Sequence, residues 1–188
     1  MTCRGSRFAD GAKRNPNGEV FMKNRETDEW LQQNERSTRN FIRKWGHFVR
    51  HDEYLKPIIP PKYNIGFIVH NIQNYQILHT LEPWCSTIYG KYSKEMWEMY
   101  IRDEQPNTLF DLTERVQTYY NEKNNDIIVE FDGSQLTNEN FRFLTALSDI
   151  IQDSGEIGKM ELSIFNITIT SLQTYEYDLI KVDNQSWN

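Results

Sequence analysis

Three short apolar runs separated by helical patterns constrain the fold of this 188-residue chain more than any other feature. The runs lie in "YNIGFIVHN", "DIIVEFDG" and "KMELSIFNITIT", and the first two have the length of a single buried strand. In the third, the apolar positions change parity between Ile164 and Phe165, which predicts a bulge or burial on both faces. The order strand, helices, strand, helix, strand is typical of a parallel sheet with crossover helices. We therefore predict a Rossmann-like α/β domain with a small, mostly parallel sheet.

The segments between these runs carry helix signals. "NYQILHTLEPWCSTIYG" predicts a short helix interrupted by Pro83, and both "SKEMWEMYIRDE" and "TLFDLTERVQTYYNE" predict further helices, the former capped by Ser93. The clearest helix is "TNENFRFLTALSDIIQDSG", which begins at Thr137 or Asn138 and ends at Gly155. These helices supply the crossovers that a parallel sheet needs.

A helical arm precedes the α/β segment. Thr27 or Asp28 can cap a helix that ends at Gly46, because glycine adopts the left-handed conformation at low cost. We predict that this helix buries its apolar side, which includes Trp30, Phe41 and Trp45. A short strand is also expected at residues 20–22.

Residues 47–62 are the best candidate for a domain boundary. They contain Pro57, Pro60 and Pro61, which stiffen the chain and exclude a helix. We therefore divide the chain into an N-terminal arm (1–46), a proline-rich linker (47–62), an α/β domain (63–170) and a polar tail (171–188).

Charge is distributed unevenly between these segments. Residues 1–62 carry 13 Lys and Arg against 8 Asp and Glu, whereas residues 63–188 carry 8 against 19. The basic arm is either a site for phosphate groups, from a nucleotide or a lipid carrier, or a solvated helix face that packs against the acidic remainder.

Composition also limits the classes of function. No run approaches ~18 apolar residues, so no membrane span is expected. The N-terminus "MTCRGSRFADGAKRN" has no apolar h-region of a secretory signal, and two cysteines are too few for a disulfide framework. We therefore expect a cytoplasmic protein. The acidic chain as a whole argues against nucleic acid as a partner.

Polar side chains follow two of the predicted strands. His70 and Asn71 end the first strand, while Glu130 and Asp132 lie two apart at the end of the second and face the same side. Ligands of open α/β sheets bind beyond the carboxyl ends of the strands. We therefore predict His70 and Asn71 as cofactor-binding residues, and Glu130 and Asp132 as ligands of Mg²⁺ or Mn²⁺ beside a diphosphate. The alternative is that Asp132 and Gly133 form a turn, while Glu130 pairs with a nearby cation.

The stretch "NERSTRNFIRKWG" at residues 34–46 resembles the closing helix of family 2 glycosyltransferases of the GT-A type. That helix commonly finishes in Phe-x-x-Lys-Trp-Gly, and Phe41, Lys44, Trp45 and Gly46 match this finish. Upstream, "CRGSRFADG" is similar to the family's His-x-Gly-Ser segment: Gly5 and Ser6 match, and Cys3 replaces a histidine that is often a metal ligand. The resemblance covers residues 1–46.

This resemblance implies the C-terminal part of a nucleotide-sugar-dependent transferase that acts on a glycan acceptor. The α/β domain resembles C-terminal modules of phage-encoded and marine bacterial glycosyltransferases, most strongly in "YNIGFIVHN", "LEPWCSTIYG" and "NDIIVEFDGSQ". In the parent reaction a carboxylate base deprotonates the acceptor hydroxyl, and a divalent metal steadies the departing diphosphate. The family's nucleotide-binding half, with its Asp-x-Asp motif, is not present in the sequence. Activity would therefore need an upstream transferase domain, and whether this chain alone is an enzyme stays open.

Two other functions are consistent with the same sequence. The first is a non-enzymatic protein whose α/β domain is an interaction or docking module. The second is an independent enzyme that uses Glu130 and Asp132. Binding of a nucleotide sugar or a glycan would favour the transferase hypothesis over the non-enzymatic docking module.

Overall fold

The chain divides into two units between Thr38 and Arg39, inside a helix and before the proline-rich segment at residues 47–62. The computed structural model describes residues 27–175 and, for their backbone, residues 12–14 and 20–22. The residues Cys3, Gly5 and Ser6 of the glycosyltransferase resemblance lie outside these ranges, as do residues 176–188 of the predicted polar tail.

A two-stranded antiparallel pair and a long helix lead the chain. The pair consists of β1 (Ala12–Arg14) and β2 (Val20–Met22), and β2 is the short strand predicted there. Helix α1 (Asp28–Trp45) begins after Thr27, whose Oγ1 accepts a hydrogen bond of 3.3 Å from the Trp30 backbone N–H. It ends at Gly46, which has a φ of 80°, as predicted.

The arm helix buries less of its apolar side than predicted. Trp30 is exposed, whereas Phe41 and Trp45 are half-buried. The deeply buried residues of this helix are Ile42 and Arg43.

The second unit contains the remaining elements. A hairpin of β3 (Arg50–His51) and β4 (Pro57–Ile58) lies within the proline-rich segment. The elements after it are, in order, β5 (Ile65–His70), α2 (Gln76–Leu81), β6 (Thr87–Gly90), α3 (Lys94–Glu104), α4 (Leu112–Arg115), β7 (Val116–Thr118), β8 (Ile127–Asp132), α5 (Asn138–Thr145), α6 (Leu147–Ser154), β9 (Gly158–Leu162) and β10 (Phe165–Ile169). Single 3₁₀ turns follow α2, α3 and β8, at Glu82–Trp84, Gln105–Asn107 and Gly133–Gln135.

Six of these strands form one mixed sheet in the order β7-β6-β5-β8-β10-β9. The pairs β7–β6, β6–β5 and β5–β8 are parallel, whereas β10 runs antiparallel to both β8 and β9. The prediction of an α/β fold with a small, mostly parallel sheet and a preceding helical arm is therefore confirmed.

Strands β6 and β7 were predicted as parts of helices, and this was wrong. They have four and three residues, too few to show a period of their own. Their conformation depends on pairing: β6 runs beside β5, and the Ser86 backbone N–H at its start donates to the Ile65 carbonyl at 2.7 Å. Hydrogen bonds within the sheet thus override the helical pattern of these two segments.

The run "KMELSIFNITIT" is a hairpin instead of one bulged strand. Leu162 of β9 pairs with Phe165 of β10, and the two residues between them make the turn. Ser163 has a φ of 56° there. The change of apolar parity therefore marks a reversal of the chain, because both strands keep their apolar residues on the core face.

The predicted helix at residues 137–155 is two helices that meet at Ala146. The two predicted ends of this helical segment are confirmed. Thr137 and Asn140 form a reciprocal capping box at the start, and Gly155 ends α6 with a φ of 62°.

The core lies against one face of the sheet. Its strand residues are buried and lie in register across the sheet: Ile65, Phe67 and Val69 of β5, Ile127, Val129 and Phe131 of β8, and Phe165, Ile167 and Ile169 of β10. Buried helix residues complete the same cluster: Leu78, Leu81, Tyr100, Leu144 and Ile151. The opposite face of β5 and β8 ends in the polar residues described next.

Candidate functional site

The predicted site residues lie together at the carboxyl edge of β5 and β8. After β5 the chain moves to β6 on one side, while β8 lies on the other side, so the strand order reverses between β5 and β8. Such a switch point is the usual place for a ligand in an open α/β sheet. His70 pairs in register with Asp132, and Ile68 with Glu130. The parallel pairing thus brings His70, Asn71, Glu130 and Asp132 to one edge.

His70 and Glu130 form the first of two side-chain pairs at this edge. The His70 Nε2 donates to Glu130 Oε1 at 2.7 Å. Both side chains reach solvent, with 35% of His70 and 44% of Glu130 exposed. A ligand can therefore approach this pair from outside.

Asn71 and Asp132 form the second pair. Asn71 leaves β5 with a φ of 53°, a conformation that asparagine tolerates better than most residues, and its Nδ2 donates to Asp132 Oδ2 at 2.7 Å. Asp132 Oδ1 accepts from Ser134 Oγ at 2.6 Å and from the Ser134 backbone N–H at 2.8 Å. Hydrogen bonds from Ser134, followed by the one from Asn71, lower the pKa of Asp132. Asp132 is therefore a charged residue that also holds the turn after β8.

The two carboxylates have separate partners. Within residues 27–175, no three His, Cys, Asp or Glu side chains converge as a group that could hold a metal ion. Asp132 lies in a turn with Gly133, as in the alternative hypothesis, whereas the partner of Glu130 is the His70 ring and not a lysine or arginine. A metal ion bound by Glu130 and Asp132 stays a prediction. Such an ion would bind carboxylates that already accept hydrogen bonds from other side chains.

An aromatic and basic group completes the edge. The Tyr119 ring lies 5.6 Å from the His70 ring, and the Lys91 Nζ lies 4.8 Å from the centre of Tyr119 and 5.9 Å from that of Tyr120. Lys123 Nζ lies on Tyr119 as well, at 4.7 Å. Sequence reasoning missed this group because Lys91 follows β6 and Tyr119 follows β7, the two strands that were not predicted.

Two glycines allow the edge to pack closely. A Cβ on Gly90 would lie 2.3 Å from Ile72 Cδ1, and one on Gly133 would lie 3.1 Å from the His70 carbonyl oxygen. A side chain at Gly133 would press on the β5 backbone, and one at Gly90 would displace the end of the Ile72 side chain. The carboxyl edge is thus a closely packed surface whose exposed groups are hydrogen-bonding pairs and tyrosine rings.

A second cluster of charges lies inside the protein. Arg43 donates to Glu82 Oε2 at 2.8 Å through Nε and to Glu104 Oε1 at 2.7 Å through Nη2. Arg39 binds Glu104 through two hydrogen bonds of 2.8 Å, and Arg115 contacts Glu82 Oε1. The acidic residues Glu82 and Glu104 are 0% and 1% exposed. This accords with the hypothesis that part of the basic arm packs against acidic residues.

The buried carboxylates of this cluster are held in the charged form. Burial alone would raise the pKa of Glu82, but Arg115 and Arg43 outweigh it and lower the pKa. Burial would likewise raise the pKa of Glu104, but hydrogen bonds from His79, Arg39 and Arg43 lower it. Tyr100 donates a further hydrogen bond of 2.9 Å to Glu82. With its carboxylates enclosed and paired in this way, the cluster is a structural link between the end of α1 and the sheet domain.

In comparisons with models of known protein families, with curated proteins and with solved structures, no match to this chain was found. The resemblance to family 2 glycosyltransferases therefore stays a prediction. None of the helices in residues 27–175 has the length and apolar composition needed to cross a membrane.

Proposed function

We propose that the α/β domain binds a saccharide at the carboxyl edge of β5 and β8, as the acceptor-recognition module of a glycosyltransferase-related protein. The observation that carries the proposal is the exposed His70–Glu130 pair beside the ring of Tyr119. The Asn71–Asp132 pair extends the same surface.

The chemistry of this surface suits a sugar. A sugar ring offers hydroxyl groups, which both donate and accept hydrogen bonds, and a face of C–H groups that packs on aromatic rings. Glu130 uses Oε1 for His70, while its exposed side chain leaves Oε2 to accept from a ligand hydroxyl. Tyr120 is 82% exposed and offers a large apolar face with a polar tip.

A nucleotide sugar bound through its diphosphate is the competing ligand. The two carboxylates on one side of β8 support this ligand, because they could bind the Mg²⁺ or Mn²⁺ that accompanies a diphosphate. Without a cation, however, Glu130 and Asp132 repel a diphosphate, and the chain has neither a P-loop nor an Asp-x-Asp motif. A glycan needs no such cation, so the glycan is the ligand that we propose.

The link to glycosyltransferases rests on the helix that finishes in "FIRKWG". Residues 39–45 of this helix belong to the same unit as the sheet, and Arg43 fixes them to Glu82 and Glu104. The end of the transferase-like helix is thus part of the unit that would bind the acceptor. The alternative is a docking module that binds another protein and no glycan.

The test is binding of the full chain to an immobilised array of glycans, with Glu130→Gln and Tyr120→Ala as site variants. Loss of a hydrogen bond to a charged group should weaken binding by about tenfold in Glu130→Gln. Matched controls are Glu156→Gln and Tyr54→Ala, because both residues are exposed and lie outside the edge. The controls should bind as wild type does.

Three results would contradict the glycan proposal. Unchanged binding in both site variants would locate the glycan elsewhere. Absence of binding to any glycan would favour the docking module. Calorimetric titration of Mn²⁺ with a nucleotide sugar distinguishes the competing ligand: heat that disappears in Asp132→Asn would support the nucleotide site.

A further inference from the structure

We propose that this site selects an acidic saccharide, one with a singly charged carboxylate or sulfate group, and that Lys91 binds the acidic group. The inference rests on the proposed saccharide site and names its ligand class. It arises from the position and the contacts of Lys91, which the proposal above does not use.

Lys91 is a cation without an ionic partner among residues 27–175. Its ammonium group lies on the rings of Tyr119 and Tyr120, at 4.8 and 5.9 Å from their centres. No carboxylate of the described residues lies within 4.0 Å of it, whereas nearby Lys94 pairs with Glu98 at 3.5 Å. The side chain is exposed, so its donors are available to a ligand.

Lys123, the other lysine of the group, is already occupied. Its ammonium donates to the Tyr119 carbonyl and lies on the rings of Tyr89 and Tyr119. It therefore holds the segment after β7 in place, and Lys91 is the lysine left to bind a ligand.

The strand order fixes where the charge lies relative to the rest of the site. Lys91 follows β6, His70 ends β5 and Asp132 ends β8, which are three adjacent parallel strands. Adjacent strands are about 4.8 Å apart, so this row is about 10 Å long, the length of two sugar rings. A ligand lying along it would meet a cation at the β6 end and hydrogen-bond acceptors at the β8 end.

The charge balance favours a singly charged group over a phosphate. One ammonium can neutralise a carboxylate or a sulfate ester. A doubly charged phosphate would need Lys123 as well as Lys91 for neutralisation, but Lys123 is held by the Tyr119 carbonyl. Paired with Lys91 alone, the phosphate would keep a negative charge that Glu130 and Asp132, on the same edge, repel. The acidic substituent is therefore expected at Lys91, and the sugar hydroxyls at the two carboxylates.

The experiment compares acidic glycans with their neutral counterparts on the full chain. The array carries uronate-bearing, sulfated, phosphorylated and neutral glycans, together with methyl esters of the uronate-bearing ones. Wild type should bind a uronate or sulfate glycan about two- to fivefold more tightly than the matched ester or neutral glycan. This preference should shrink at high salt, because an exposed ion pair is screened.

Three variants assign the preference to one side chain. Lys91→Gln should bind acidic and neutral forms equally, while Lys91→Arg keeps the charge and should keep the preference. Lys94→Gln removes the same charge from an exposed lysine outside the edge and should behave as wild type. The comparison of acid with ester on wild type needs no variant, so it remains decisive if Lys91→Gln fails to fold.

The outcomes separate this inference from the proposed function. Equal binding of acid and ester by wild type, or a preference that survives in Lys91→Gln, would overturn the inference and leave the saccharide site standing. Tighter binding of the phosphorylated glycans than of the others would also overturn it. If wild type binds no glycan at all, both fail.

Discussion

At the scale of single residues, Arg43 has a side chain that is fully buried and bonds carboxylates from two different segments. Glu82 precedes β6 and Glu104 ends α3. Without this guanidinium each buried carboxylate would lose a cationic partner, and among the described residues only Arg115 would remain for Glu82 and Arg39 with His79 for Glu104. Burial lowers the pKa of Arg43, but Glu82 outweighs it and raises the pKa, so the residue stays charged. Arg43 thus stabilises the fold by compensating the buried negative charges around it.

Replacing Arg43 should therefore be costly. Arg43→Met keeps much of the apolar volume but leaves both carboxylates short of a partner, and we expect a loss of about 3–5 kcal/mol in the free energy of unfolding. Urea denaturation measures this. Arg102→Met is the matched control, because the Arg102 side chain is 73% exposed, and it should change stability by less than about 0.5 kcal/mol. Similar losses in both variants would contradict a structural role for the buried cluster.

The same cluster predicts a sensitivity to acid. The pKa values of Glu82 and Glu104 are lower in the folded protein, so the stability they contribute is complete above their unfolded pKa of about 4.3. It is lost as the pH falls below that value. Unfolding free energies of wild type and Glu104→Gln should differ by about 3 kcal/mol at pH 7, and the difference should shrink between about pH 4 and 2. A difference that is independent of pH would contradict this assignment.

At the scale of elements, the helix ends follow local rules more closely than the strands do. Ser93 accepts from the Met96 backbone N–H at 3.2 Å, and Thr137 accepts from that of Asn140 at 3.2 Å. Each interaction involves residues three apart, so the sequence alone predicts it. The short strands β6 and β7 have no such local determinant.

The Thr137 cap gives a prediction at this scale. Thr137→Ala removes the acceptor for the first turn of α5 and should cost about 1 kcal/mol. In Thr145→Ala, at the other end of the helix, the hydroxyl that is lost donates only to the Arg142 carbonyl within the helix. That change should stay below about 0.5 kcal/mol. Thermal and urea denaturation of both variants compare the two threonines, and an equal effect would argue against the cap.

At the scale of the whole molecule, the division between Thr38 and Arg39 assigns the last two turns of α1 to the sheet domain. Ile42 is 3% exposed and belongs to the domain's core cluster. The proline-rich segment at 47–62 therefore follows a part of the domain instead of preceding all of it.

Two shortened chains test this division. A chain that begins at residue 34 keeps the last three turns of α1, with Ile42 and Arg43, and should unfold in one cooperative urea transition. A chain that begins at residue 47 loses both side chains and leaves Glu82 and Glu104 short of a partner. We expect it to lose at least about 3 kcal/mol or to have no cooperative transition. Equal stability of the two chains would support the predicted boundary at residues 47–62.

The amino-acid sequence by itself determined the features that depend on neighbours along the chain. The apolar runs of β5 and β8, the caps at Ser93 and Thr137 and the helix ends at Gly46 and Gly155 need only local patterns. The meeting of His70 and Asn71 with Glu130 and Asp132 was also predictable, because parallel neighbouring strands place their carboxyl ends on one edge.

Tertiary structure decided the features that depend on which segments become neighbours. β6 and β7 are too short to show a pattern, and their hydrogen bonds to adjacent strands make them extended. Lys91 and Tyr119 reach the site because those strands end there. The side-chain partners of Glu130, Asp132 and Arg43 lie between 39 and 61 positions away in the chain, apart from local contacts within their own turns. A sequence pattern does not encode such pairs, because they form only when the sheet and the core bring distant segments together.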